Sequence, residues 1–252
     1  MATQVQFRGG TTSQHGSFTG AVREVTVDTD KETLVVHDGS TAGGFALARA
    51  DGTNVSNFAV SGNLTVTGDL ASSTSGTSNF RAGVNAGNSI VSGGIKNVVV
   101  GDEAGTAITT GTRNVAVGYQ ALATEDTGSR SIAIGHQALT TQNGGTADIY
   151  NIGVGHNAGG AITTGTNNTI MGGLAGDAIT TGTKNTLVGY NIGTSITTAG
   201  DNTMLGADVG VNVTTGKANV LIGGSVAGVG GGTGEALTTG EFNVAIGASA
   251  LK

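Results

Sequence analysis

The 252-residue chain has no cysteine, no proline and no tryptophan. The lack of cysteine excludes a disulfide framework, a thiol nucleophile and any cysteine-based metal site. Aromatics are 4% and charged residues 11%, the latter against a globular average of about 25%. The net charge of −6 comes without a basic stripe, which argues against a nucleic-acid partner. No stretch approaches the roughly 18 apolar residues of a membrane span, so membrane insertion is not expected. The opening MATQVQFRGG has no apolar core of a secretory signal, and synthesis in a cytoplasm is the expectation.

Glycine, by contrast, supplies 47 residues, where an average composition holds roughly 7%. With abundant Thr, Asn, Val and Ile and no Pro, this composition fits many short strands joined by tight turns. Disorder is disfavoured by the 37% apolar content and by a clear internal period. Charge is uneven: ten of the 28 charged residues fall in the first 52 positions, which predicts two regions of different construction.

The period emerges on aligning NVAVGYQAL (Asn114 to Leu122) with SIAIGHQAL (Ser131 to Leu139). Units begin at Asn97, Asn114, Ser131, Asn151, Asn168, Asn185, Asn202, Asn219 and Asn243, and a weaker copy begins at Asn79. Most starts are 17 residues apart, and loop insertions account for the two longest gaps. Counting the start as position 0, +1 is Val, Ile or Thr, +3 is large and apolar, and +4 is Gly in every copy, as at Gly101, Gly118 and Gly135. Position +7 is small or aliphatic, and Thr-Thr-Gly recurs near +12 to +14. Positions +1 to +3 predict a very short strand with alternating faces, ended by a glycine at positive φ or in close approach to the next coil. The Thr-Thr pair is expected to start a second short strand. One unit is then one coil of a parallel β-solenoid, and stacking buries what a single coil cannot. Positions +1, +2 and +3 are often all apolar, so both faces of the strand seek burial, one inside the coil and one against another chain. A homotrimer follows as the expectation.

These units resemble the repeats of trimeric autotransporter adhesin heads, although their period is longer; related units occur in phage tail fibres. The resemblance covers about Asn79 to Lys252 and implies a left-handed parallel β-roll built from three chains. Near the start, Val5-Gln6-Phe7-Arg8-Gly9-Gly10-Thr11, Arg23-Glu24-Val25-Thr26-Val27-Asp28-Thr29-Asp30 and His37-Asp38-Gly39-Ser40-Thr41 resemble the N-terminal module of phage tropism-determinant and tail-fibre proteins. That resemblance implies a small trimeric β domain that anchors a fibre to the virion, with Gln6, Arg8, Glu24 and Asp38 as candidate attachment residues. The stretch GNLTVTGDL (Gly62 to Leu70) looks like the short β-prism linkers of phage fibres.

Candidate chemistry is sparse. Position +5 holds Tyr119, His136, His156 and Tyr190, which could contact a receptor or glycan; the same position accepts Asp102, Ala207 and Gly224, as an exposed variable corner would. Position −1 holds Lys96, Arg113, Arg130 and Lys184, a ladder able to grip phosphate or acidic polysaccharide or simply to solvate a turn. The stacked Asn97, Asn114, Asn151, Asn168, Asn185, Asn202, Asn219 and Asn243 read as a structural hydrogen-bonding ladder. Glu125 and Asp126 are adjacent with opposed directions expected, unlike a glycosidase pair. No G-x-S-x-G or H-E-x-x-H pattern occurs. No catalytic residue, metal site or cofactor is therefore assigned.

The reading is an all-β chain. Residues 1–52 form a virion-attachment module, 53–78 a β-prism-like linker, and 79–252 a trimeric β-roll of about nine 17-residue coils. The function expected is that of a non-enzymatic phage tail fibre that projects the roll for host recognition or as a shaft. Its partners would be two further copies, other tail or capsid proteins, and a host-surface glycan or protein. It would be assembled in the host cytoplasm and reside in the virion. A bacterial surface adhesin head is the alternative, and a fibre-borne polysaccharide depolymerase a third.

Overall fold

The structure, a computed structural model, describes residues 8–30, 33–37, 39–42, 45–46, 76–146, 148–225 and 231–252. Val5, Gln6 and Phe7 of the first motif and most of the linker at 53–78 lie outside the described residues. The chain divides into two compact units, Met1–Gly68 and Asp69–Lys252.

In the first unit, β1 (Arg8–Gly10), β2 (Val25–Asp28), β3 (Thr33–Val36) and β4 (Phe45–Ala46) form one sheet in chain order. β2 and β3 form an antiparallel hairpin with Val27 opposite Leu34, while β1 lies parallel to β2. One element departs from the strand-and-turn reading of this region. Thr12–Ser17 is a six-residue helix, α1, opened by a capping box in which the Thr11 hydroxyl accepts from the Gln14 amide and the Gln14 side chain accepts from Thr11 N–H. Thr-x-x-Gln is the sequence signature of such a start. Asp28 and Asp30 tie the helix to the sheet, accepting from the Thr12 hydroxyl (2.9 Å) and the Thr12 amide (2.9 Å).

Among the described residues the second unit holds a parallel ladder of ten three-residue strands, from β5 (Phe80–Ala82) to β14 (Val244–Ile246). The weak copy at Asn79 forms its first rung. Register follows the repeat, with Val98 opposite Val115 and Val115 opposite Ile132. At the roughly 4.8 Å spacing of paired strands, ten rungs extend about 45–50 Å. Position +2 points inward: Val99, Ala116, Ala133, Ile170, Leu187, Met204 and Leu221 are all fully buried. Residues at +1 and +3 face outward. Each +4 glycine has φ between +117° and +157°. A Cβ on Gly189 would overlap the carbonyl of Gly206, so this column needs glycine for both its φ and its close approach.

The expected second strand at Thr-Thr does not form. Bends occupy that segment, and its backbone hydrogen bonds to the next rung are isolated, as from Thr180 N–H to Thr197 O (2.8 Å). The hydroxyl of Thr180 competes for the same carbonyl (3.2 Å), the local side-chain bonding that displaces a regular ladder.

Inside the coil the asparagines stack. Except at Asn151, above Ser131, each backbone N–H from Asn97 onward donates to the side-chain Oδ1 one rung below, as in Asn185 to Asn168 (3.0 Å) and Asn202 to Asn185 (3.2 Å). From Asn97 to Asn202 each Nδ2 donates to a carbonyl 14 residues on, as in Asn168 to Gly182 (2.9 Å) and Asn185 to Ala199 (2.9 Å). Ser131 lacks an amide, and Gln142 replaces it. Its Nε2 donates to Ser131 Oγ (2.8 Å) and to Glu125 (2.8 Å), while its Oε1 accepts from Asn151 Nδ2 (2.9 Å). Fully buried Glu125 also accepts from Gly128 N–H (2.7 Å).

A volume exchange makes room for this polar group. In most rungs +8 is Gly and +11 is an aliphatic that packs over it: a Cβ on Gly105 would come within 2.8 Å of Ile108, and one on Gly193 within 2.8 Å of Ile196. In the rungs starting at Asn114 and Ser131, +8 is buried Leu122 or Leu139, and +11 is Glu125 or Gln142. Leucine at +8 fills the space that the +11 aliphatic fills elsewhere, which leaves +11 free to be polar.

Candidate functional site

The outward side of the ladder is its most distinctive surface. The +1 and +3 columns present Val98, Ile134, Met171, Leu205, Val244 and Ile246 at 38–69% exposure. Scattered exposed apolar residues are ordinary, but a contiguous apolar sheet face marks an interaction surface. The −1 and +5 columns flank it.

The −1 residues all adopt left-handed backbone, from Lys96 (φ 63°) and Arg113 (φ 59°) through Lys184 (φ 59°) to Phe242 (φ 60°). The basic residues of this column do not converge on one pocket. Arg130 pairs with Asp148 and lies over the Tyr150 ring at 5.6 Å, and Lys184 approaches Asp201 at 4.0 Å. Tyr150, half exposed, went unnoticed in the sequence. Its place in the −1 column, one rung from Arg130, was the available signal.

The +5 residues are exposed and stack along the ladder. Tyr119 and His136 have ring centroids 5.1 Å apart at 33°, and His136 and His156 are 5.2 Å apart at 16°. Tyr190 is 60% exposed. It stands one rung beyond Gly173, which interrupts the ring column. Seventeen- and twenty-residue spacings thus bring three of the four +5 candidates together. Asn97, Asn114, Asn151, Asn168, Asn185, Asn202 and Asn219 are buried within the coil, out of reach of a ligand. Glu125 is engaged internally, and Asp126 accepts from the Thr109 hydroxyl, so neither carboxylate is placed as half of a hydrolytic pair.

In the first unit, Arg8 and Glu24 form an ion pair (3.3 Å), and the Arg8 guanidinium lies 5.2 Å from the Phe18 ring centre. Gln6 and Asp38 lie outside the described residues. Arg8, Gly9, Gly10, Gln14, His15, Phe18 and Thr26 line a cleft of about 200 Å³. Beneath it runs a buried polar chain. His15 Nδ1 meets the Thr11 carbonyl (3.1 Å) and so carries a proton, which leaves its Nε2 to accept from the Thr26 hydroxyl (2.8 Å). His37 Nδ1 accepts from Gly20 N–H (3.3 Å), so its Nε2–H donates to Thr26 Oγ1 (2.9 Å). Every hydrogen-bonding atom of the two rings is used, and the chain locks α1 to β2. A Cβ on Gly20 would come within 2.5 Å of the His37 ring, so glycine there is steric in origin.

This first unit has known relatives. Residues 5–41 match the major tropism determinant N-terminal domain. Over 51 residues the chain is 76% identical to the tail fiber receptor-binding protein of Bordetella phage BPP-1. That stretch is 20% of this chain and 13% of the relative, so the chain spans only a small part of the length of the curated relative it matches. The Major Tropism Determinant M1 and I1 variants are solved structures that match at 79% identity, covering 19% of this chain and 12% of theirs, with TM-scores of 0.19. In the matched region stand Arg8, His15 and Thr26, which line the cleft, His37, which completes the chain beneath it, and Glu24, which pairs with Arg8. The His–Thr–His chain escaped the sequence because its members are 11 residues apart on different elements, with no periodic pattern linking them.

Proposed function

We propose that this protein is a structural, non-enzymatic component of a phage tail fibre, carried in the virion and assembled in the host cytoplasm. The observation that carries this reading is the 76% identity of a 51-residue stretch to a tail fiber receptor-binding protein. The first unit serves attachment to other tail or capsid proteins, with Arg8 and Glu24 on its surface and Gln6 and Asp38 in the same sequence motif. The roll serves host contact. Its outward +1 and +3 columns are the contact between three copies, since burying those residues recovers about 25 cal/mol per Å² of apolar surface, which a lone chain leaves in water. Three copies multiply weak receptor contacts through avidity. The tropism-determinant match favours this reading over a bacterial adhesin head, which would share only the repeat.

Sedimentation of the full chain tests the assembly. Wild type is expected as a trimer. Leu205→Lys and Met171→Lys, each burying a charge in the contact, are expected to shift it toward monomer. A monomeric wild type overturns the trimer. Immunoblotting of purified virions tests the location: a fibre component stays with infectious particles through a density gradient, and absence from them overturns the fibre reading.

A further inference from the structure

The loop that lengthens the rung between Ser131 and Asn151 carries a reactive pair. Asn143-Gly144 is the one Asn-Gly pair in the sequence. From Asn97 to Asn243 each ladder asparagine is instead followed by Val, Ile or Thr, whose branched Cβ crowds the next backbone nitrogen. Asn143 is exposed, and its side chain makes no hydrogen bond among the described residues. Its backbone N–H donates to Thr163 O (2.8 Å), which anchors the near side of the pair. The Gly144 N–H meets Glu125 Oε2 at 3.4 Å, a long bond that holds the nitrogen weakly. Gly145 follows at φ +74° with open space around it. With no side chain at 144 or 145, neither residue crowds the approach of the Gly144 nitrogen to the Asn143 carboxamide.

We infer that Asn143 is a site of spontaneous covalent modification in the folded protein. It deamidates through a cyclic imide with Gly144, and this loosens the polar network that stands in for the asparagine ladder at Ser131. Hydroxide takes the Gly144 amide proton, and the nitrogen bonds to Asn143 Cγ. The Cγ–Nδ2 bond breaks and ammonia leaves. Water then opens the ring at one of its two carbonyl carbons. Attack at Cγ gives aspartate, and attack at the backbone carbonyl gives isoaspartate, in which the chain runs through Cγ. In sum one carboxamide and one water become one carboxylate and one ammonium ion. Isoaspartate adds one backbone atom between the anchored nitrogen of residue 143 and Gly144. The Gly144 side has no room to absorb it, since even a Cβ there would overlap the side chain of fully buried Ile149. The Gly144 N–H is therefore displaced from Glu125, whose other donors are Gly128 N–H (2.7 Å) and Gln142 Nε2 (2.8 Å). A buried carboxylate that loses a donor weakens the whole network around it.

Incubation of the full chain at pH 8.5, followed by peptide mass spectrometry, reads the modification as a gain of about 1 Da at residue 143. Conversion there is expected at least about tenfold faster than at exposed Asn212, which precedes Val213. It is expected to slow at pH 6, as a hydroxide-dependent step must. The synthetic peptide TTQNGGTAD (Thr140 to Asp148) reports the pair without the fold, and the folded chain is expected to convert within about tenfold of the peptide's rate. Conversion no faster than at Asn212, or more than about tenfold slower than in the peptide, overturns the site. Asn143→Gln closes the corresponding larger ring far more slowly and serves as the unmodified reference. After equal incubation, wild type is expected to exchange its Gly128 amide at least about fivefold faster than Asn143→Gln. Equal exchange in the two chains, with the mass gain present in wild type, overturns the loosening of the network.

Discussion

Truncating one rung of the asparagine ladder is a severe perturbation in mid-stack and a mild one at its end. The Asn185 side chain is fully buried. Its Nδ2 donates to Ala199 O (2.9 Å) and Asn168 Oδ1 (3.1 Å), and its Oδ1 accepts from the N–H (3.2 Å) and Nδ2 (3.2 Å) of Asn202. In Asn185→Ala, Asn168 Oδ1 keeps the backbone N–H of residue 185, and Asn202 Nδ2 keeps Gly216 O (2.9 Å). The Ala199 carbonyl and the Asn202 amide lose these partners inside the coil. At roughly 1–3 kcal/mol for each buried group left unsatisfied, the cost is about 2–6 kcal/mol. Asn243 is half-buried on the last rung, and its Nδ2 bonds Asn219 Oδ1 (3.0 Å) and the carbonyl of exposed Glu241 (3.1 Å). Water can replace the second bond, so Asn243→Ala is expected to cost under about 1 kcal/mol. Asn185→Ser should behave like the alanine variant. Serine works at 131 because Gln142 reaches it, whereas the Asn185 rung has buried Ile196 at the corresponding place. Guanidinium unfolding at fixed chain concentration measures the losses. Amide hydrogen exchange at Asn202 locates them, since neighbouring coils couple in a solenoid. Equal losses in Asn185→Ala and Asn243→Ala, or an Asn202 amide that exchanges no faster in Asn185→Ala, would refute the reasoning.

Three further outcomes follow from the same geometry. Gly189→Ala places a Cβ against the Gly206 carbonyl at φ +148°, and is expected to lose more than about 3 kcal/mol of stability or fail to fold, whereas Gly173→Ala stays within about 0.5 kcal/mol by thermal melting. Thr26→Val strips both imidazoles of their shared hydroxyl, and is expected to cost about 2–4 kcal/mol in the first unit, read by hydrogen exchange at β2 and β3; unchanged protection there would refute the tautomer assignment as a source of stability. Burial raises the Asp177 carboxyl above 3.8, against a smaller opposing effect of its own backbone hydrogen bond. A raised carboxyl costs stability as pH climbs from the usual carboxylate range through its folded value, so Asp177→Asn should melt higher than wild type at pH 7 and lose that advantage at pH 3.

How much of this could be read from the residues differs by element. The repeat is local and periodic, so the parallel ladder, its register and the need for glycine at Gly101, Gly118 and Gly135 all follow from spacing and sterics. The hairpin of β2 and β3 likewise follows from two alternating runs around a turn. The short helix at Thr12–Ser17 is hidden although Thr11 and Gln14 carry its capping signature, because a segment with no apolar side chain shows no apolar period. The Thr-Thr pair forms no strand, because β-branching favours a strand only where the backbone can pair continuously, and hydroxyl bonding to the next rung prevents it.

NVAVGYQAL and SIAIGHQAL sharpen the division. Sequence alone determined that the two copies stack, because a conserved period with +4 glycine admits no other register. Tertiary structure alone decided what their differences do. Leu122 and Leu139 occupy volume that isoleucine at +11 fills elsewhere, and the space so released holds Glu125 and Gln142, which complete the hydrogen bonding where Ser131 replaces asparagine. It also decided that Tyr119, His136 and His156 form one stack and that Gly173 opens it. A repeat specifies each residue's neighbours along the ladder. Packing volume and hydrogen-bond completion depend on atoms from several rungs at once, and these meet only in the folded coil.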